Sequence, residues 1–306
     1  MKLFHFFRRP PKEDLFAIGE KRLAQLQEEG RYSCYRNTRA TLRKLSRYMR
    51  GKKLPVDEVT PELIAGFESY LALTEGNSQN TIAENVKILS FLLTQGGVKD
   101  NPCDTVKKKR EQTPRYYLVE EELARLMALP LKPGSEEDVA RDIFFVECRT
   151  GLRISDLLQL RWGDYDGQSI RIRMQKTQRY LEIPVGRSVQ LVFARYKHLF
   201  ASPEEPVFPA LEKPSGVKND RFAASRRLIY VTARINVNIK RLAARAGIDK
   251  PVSTHVGRHT FATMLLNKGA SIYEIKELLG HQDVKVTQVY AHLLNKRKEE
   301  LMNLLE

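Results

Sequence analysis

Residues 253–263 read STHVGRHTFAT. The apolar spacing that follows predicts a helix over about 256–268, which sets His255, Arg258 and His259 at its start. Histidine and arginine three apart share one helix face. That end of a helix also carries the positive pole of the peptide dipoles, so the arrangement favours an anion such as a phosphate. The chain has six histidines, and four of them (His255, His259, His281 and His292) lie in its last fifth. A metal site is the rival reading, because His255 and His259 are four apart, a spacing that can hold zinc. The intervening residues lack the glutamate of a zinc hydrolase, Arg258 would repel a cation and no cysteine stands nearby. No metal is expected.

Working outward, three other stretches of the same half carry chemistry. TGLRISDLLQLRW (150–162) places Arg153 just after a glycine that ends one helix, at the mouth of the next, with Asp156 one turn on. SIRIRMQKTQRYLEIPV (169–185) holds two alternating, β-branched stretches flanking Lys176-Thr177-Gln178, which predicts a hairpin with Lys176 at or beside its turn. LLGHQDVKVTQVYAHL (278–293) puts His281 in a turn and Tyr290 nine residues later. Further helices are expected near 186–200, 221–246, 271–279 and 284–293. KRKEELMNLLE (296–306) closes the chain as a short amphipathic helix carrying Leu301, Leu304 and Leu305.

The first third is expected to be all helical. A helix near 13–29 precedes YRNTRATLRKLSRYMR (35–50), where Arg36, Arg39, Arg43, Arg47 and Arg50 fall on one face at 100° per residue and Leu42, Leu45 and Met49 on the other. No acidic residue lies between Gly30 and Pro55. A solvated helix gains from mixed signs, whereas a stripe of arginine suits a phosphate backbone. Thr60-Pro61-Glu62 is a helix start running to about Leu73. Another helix begins near Asn80, with Ile82, Val86, Leu89 and Leu93 on one face, and stops at Gly96-Gly97. NPCDTVKKKREQTPRYY (101–117) reads as a basic linker, whose Lys107 and Lys108 are placed to track DNA.

The predicted architecture is mainly α, with residues 1–110 forming a small helical bundle and basic linker, and residues 111–306 a mainly helical domain with one small β-hairpin. A length of 306 residues suits two domains, and 42% hydrophobic residues suffice for real cores. The net charge of +15 points to a polyanionic partner, nucleic acid or an anionic membrane surface. No apolar run approaches the ~20 residues of a membrane span, and the apolar patch in MKLFHFFRRPPKED is too short for a signal peptide. Three scattered cysteines fit a reducing, cytoplasmic setting.

In chain order, Arg153, Lys176, His255, Arg258, His281 and Tyr290, with the motifs GLR-x-S-D, H-x-x-RHTFAT and LLGH, resemble the tyrosine recombinase (phage integrase) family. The resemblance spans the whole second domain and extends more loosely to the first. It implies a SAM-like core-binding bundle followed by the fold of DNA breaking-rejoining enzymes. It implies phosphoryl transfer through a 3′-phosphotyrosyl link, with Tyr290 as nucleophile, His255 as base and Lys176 as general acid. Arg153 and Arg258 would clamp the phosphate, a task suited to a planar, permanently charged fork. His281 would hydrogen-bond the phosphate, while Asp156 and His259 would support the cluster. The partner implied is double-stranded DNA, bound by a dimer at one site and a tetramer in the synaptic complex, the closing helix docking on a neighbour or packing within its own chain. No cofactor is implied.

The role expected is integrase of a mobile element or DNA invertase, with chromosome-dimer resolution as the alternative. A type IB topoisomerase-like enzyme and a catalytically idle DNA-binding protein are the readings from other classes. Only about thirty residues precede the arginine stripe, which points to a compact type without a separate arm-binding domain. Gly257 stands where many relatives carry a larger apolar residue, and a glycine inside a helix costs up to ~1 kcal/mol.

Overall fold

The computed structural model describes residues 13–105, 111, 114–175, 178–199, 202–211, 220–281, 283 and 302. Lys176, Tyr290, Lys107, Lys108, the helix expected near 284–293 and the tail leucines 301, 304 and 305 lie outside the described residues. The chain falls into two compact units, one within residues 1–113 and 218–226, the other within 114–217 and 227–306. No described helix is long and apolar enough to cross a membrane.

The first unit packs four helices: α1 (Leu15–Glu28), α2 (Tyr32–Tyr48), α3 (Pro61–Leu73) and α4 (Gln79–Gln95). Their starts are set by side-chain caps. Asp14 accepts from the Phe16 and Leu54 amides, Thr60 from Leu63, ahead of Pro61 at the first helical position, and Ser78 from Thr81. Leu15, Leu45, Ile64, Phe67, Leu71, Leu89 and Leu93 are wholly buried between them. A buried hydrogen bond from Thr41 to Asn85 (3.0 Å) fixes α2 against α4. Helix α2 ends at Tyr48, two residues short of the expected boundary, and Arg50 takes a left-handed conformation (φ 53°) in the turn beyond it. Arg50 is therefore not part of the helical stripe.

The second unit is built on α6 (Glu136–Thr150), which follows α5 (Glu120–Met127). Phe144, Val146, Ile143 and Cys148 of α6 are buried, and so are its acidic residues Asp138, Asp142 and Glu147. Two of these are matched by cations. Arg195 bonds both Asp142 oxygens (2.8 and 2.6 Å) and Asp138 (2.6 Å), and Arg141 bonds Asp138 (2.7 Å). Arg195 belongs to α8 (Arg187–Tyr196).

After α6 come the one-turn helix α7 (Ile154–Leu157) and the hairpin β1 (Ser169–Arg173) and β2 (Tyr180–Pro184). Its register sets Ile170 opposite Ile183 and Ile172 opposite Leu181, so the alternation seen in the sequence turns isoleucines inward and Arg171, Arg173 and Glu182 outward. Helix α9 (Arg221–Arg245) from Arg227 onward, α10 (Thr254–Asn267) and α11 (Ile272–Leu279) complete the unit. Helix α10 lies along α6 and starts two residues earlier than the spacing predicts, which brings His255 into its first turn.

Candidate active site

Arg258 is the centre of the arrangement. It projects from α10 and is only 9% exposed, so a permanent charge needs strong partners. Its guanidinium donates to the Gly151 carbonyl, to the Leu279 carbonyl (2.6 Å) and to Nε2 of His281 (2.9 Å). Gly151 and Gly280 are the left-handed residues (φ 66° and 59°) that end α6 and α11. Arg258 thus sits at two helix C-termini at once, where free carbonyls and the negative dipole ends receive a cation. Accepting at Nε2 leaves the His281 proton on Nδ1.

Arg153 arrives from the other side. It is the N-cap residue of α7, half-buried, and its Nη1 lies 3.4 Å from the sulfur of Met174 at the end of β1. Gly280 packs under Met174, whose methyl end a Cβ there would push aside, and its left-handed conformation (φ 59°) is one that favours glycine. Asp156, buried on α7, feels the charge of both Arg153 and Arg258; burial nevertheless pushes its pKa up. Its Oδ1 accepts the Gln175 amide (2.9 Å), so Asp156 tethers the hairpin at the residue next to Lys176.

His255 is exposed in the first turn of α10. The start of that helix is capped from outside, by Asn236 of α9 on the Thr254 amide (2.8 Å). His259 is half-buried rather than enclosed. Burial, then the charges of Arg115, His255 and Arg258, lower its pKa to about 4, which keeps it neutral. The fold therefore gathers Arg153, Asp156, Arg258 and His281 around one locus, with His255 and His259 on the same helix as Arg258. Among the described residues no cluster of three or more His, Cys, Asp or Glu has the geometry of a metal site.

Two family models match the chain: one described as the phage integrase family over residues 116–297, the other as the phage integrase SAM-like domain over residues 14–103. The chain belongs to the phage integrase family. This tyrosine recombinase is 27% identical over 267 residues to tyrosine recombinase XerC of Thermodesulfovibrio yellowstonii, covering 83% of this chain and 85% of that one. It is 31% identical over 216 residues to XerD of Lacticaseibacillus casei, covering 68% and 69%. Its fold is similar to that of the Tn1549 transposon integrase in complex with transposon right end DNA (TM-score 0.65, 20% identity, 96% of this chain and 100% of that one). It is also similar to a lambda integrase dimer bound to a core site (TM-score 0.65, 18% identity, 91% and 95%).

On the first unit of the recombinase, Arg36, Arg39 and Arg43 stand exposed in a row along α2. Arg47 is exposed too, but it pairs with Glu75 (2.9 Å), which arrives from beyond the end of α3. The stripe is not of one sign in three dimensions. Asn80 donates its amide to the Glu111 carbonyl (3.0 Å), holding the linker to α4.

Residue-by-residue reading of the sequence missed Glu147, and it read Gly151 as a helix end without linking it, or Gly280, to Arg258. The signal for Glu147 was a lone carboxylate inside the apolar run FFVEC (144–148).

Proposed function

We propose that this recombinase cuts and rejoins double-stranded DNA through a 3′-phosphotyrosyl link on Tyr290. The observation that carries the reading is the convergence of Arg153 and Arg258 from separate elements on one locus, joined there by His281. Two arginine forks meeting at one place suit the non-bridging oxygens of a phosphoryl group in its transition state. Tyr290 Oη attacks phosphorus and the bond to the 5′ oxygen breaks. Lys176 supplies the proton to the departing oxygen, and His255 receives the phenol proton. A 5′-hydroxyl, from the same or a partner duplex, then reverses the step. The bond energy is conserved in the phosphotyrosyl ester, so the balance calls for no nucleotide cofactor.

The exposed row Arg36, Arg39 and Arg43, with Lys107 and Lys108 of the linker, tracks the DNA backbone. The enzyme works in the cytoplasm, as a dimer on one site and a tetramer in synapsis. Its role is integrase of a mobile element or DNA invertase. Chromosome-dimer resolution is the second reading, supported by the XerC and XerD relatives.

The test is an SDS-trapped complex formed without metal or ATP on labelled, nicked DNA from the region flanking its gene. Wild type is expected to give a protease-sensitive adduct and Tyr290→Phe none; an adduct that survives Tyr290→Phe refutes the mechanism. The mapped nick separates the roles: a site at the end of a mobile segment fits integration, paired inverted sites fit inversion, and a single chromosomal site fits dimer resolution.

A further inference from the structure

Arginines bond Asp138 and Asp142, whereas among the described residues no arginine bonds the third buried acid of α6, Glu147. It is 1% exposed. The carboxyl meets the backbone amide of Ile154, the residue next to Arg153. Its Oε2 is buried with no hydrogen-bond partner among the described residues and lies over Gly257, where a Cβ would come within 2.7 Å of it. Its side-chain carbons crowd the same point at 3.2 Å. The charge of Arg258, the next residue of α10, is felt at this carboxyl, and burial pushes its pKa well above the usual carboxylate range. Glu147 therefore meets the start of the Arg153 segment at the Ile154 amide and the Arg258 segment through bare packing on a glycine.

A buried acid with one unsatisfied oxygen is costly, by more than a leucine of similar size would be. Gly257 is costly too, since a helix interior disfavours glycine. The two costs answer each other: a side chain at 257 would force the Glu147 carboxyl to shift, and an apolar residue at 147 would take away the carboxyl that the Ile154 amide meets.

We infer that Glu147 is a positioning residue, which sets the spacing between the Arg153 and Arg258 segments, and that Gly257 is the space that admits it. The inference rests on the phosphate-clamp reading of the two arginines. It acts through acceptor geometry and shape, so a glutamine suffices and a leucine does not.

The experiment measures single-turnover adduct formation on nicked core-site DNA, with the Kd for the same DNA, for full-length wild type, E147Q, E147L, G257A and E147A/G257A. In parallel, 15N NMR follows hydrogen exchange of the Arg258 side-chain N–H groups in the free protein, which needs no cleavage. The expected result is E147Q within about threefold of wild type. E147L is expected to be slowed at least tenfold with Kd unchanged and Arg258 N–H exchange accelerated. G257A is expected to be slowed as much, and E147A/G257A to cleave faster than G257A, because removing the carboxyl makes room for the new methyl. The slowing by E147L should disappear in an R258A background, where an effect of general unfolding would persist. E147L at the wild-type rate, or E147Q as impaired as E147L, overturns the inference. Should E147L fail to fold, the comparison of G257A with E147A/G257A decides it, and absence of rescue overturns it. A wild type that forms no adduct refutes the phosphate-clamp reading instead, and the Arg258 exchange rates then decide the positioning role alone.

Discussion

Replacing Arg258 by lysine keeps the charge and removes the fork, and the structure sets the size of the consequence. The guanidinium holds the Gly151 carbonyl, the Leu279 carbonyl and His281 together, and all of them surround a side chain that is almost fully buried. A lysine ammonium, on a shorter reach and without a planar fork, keeps at most one of the two helix-end carbonyls. Losing one or two hydrogen bonds from a charged donor, each worth about 1.5–3 kcal/mol, destabilises the second unit by about 2–4 kcal/mol once the remaining contact adjusts. For a unit of this size that is a fall in Tm of about 4–16 °C. Catalysis should fall separately, by at least about a hundredfold (~3 kcal/mol), because the clamp on the transferring phosphate is lost. Thermal denaturation followed by circular dichroism reads the first effect, and the initial rate of adduct formation at 20 °C, where both proteins are folded, reads the second. A Tm within 2 °C of wild type would refute the claim that Arg258 is what joins the ends of α6 and α11.

Three further outcomes are expected. His259, with a folded pKa of about 4 against an ordinary value near 6.5, binds its proton in the unfolded chain first; stability is thus full above about pH 6.5 and declines as pH falls toward 4. Urea denaturation at pH 7.5, 5.5 and 4.5 should show that decline in wild type and less of it in His259→Gln, and equal declines would remove His259 as its source. Gly151→Ala sets a Cβ at positive φ and within 2.3 Å of the Phe261 ring, so a loss of about 2–4 kcal/mol is expected in the same denaturation experiment. Replacing Arg36, Arg39 and Arg43 by alanine should flatten the salt dependence of DNA binding, lowering the slope of log K against log [salt] by about 3, or about 0.9 per lost phosphate contact; an unchanged slope would take α2 off the DNA.

Much of this molecule is written in local spacing. The caps at Thr60 and Ser78, the glycines after α6 and α11 and the alternation of SIRIR against YLEIP depend on residues a few positions apart, so helices and hairpin could be placed without coordinates. The order of Arg153, His255, Arg258 and His281 was legible for the same reason: each sits in a short motif whose register against a helix end is fixed by the chain itself. The tertiary structure decided what those side chains meet. Arg258 bonds carbonyls 107 residues before it and 21 residues after it, Arg47 finds Glu75 28 residues on, and Glu147 rests on Gly257 only because α6 and α10 lie side by side. Sequence separation says nothing about such pairs. Two packed helices bring residues into contact according to the rotation and spacing of their axes, which the whole core determines, and burial then turns those meetings into the hydrogen bonds and shifted pKa values of the site.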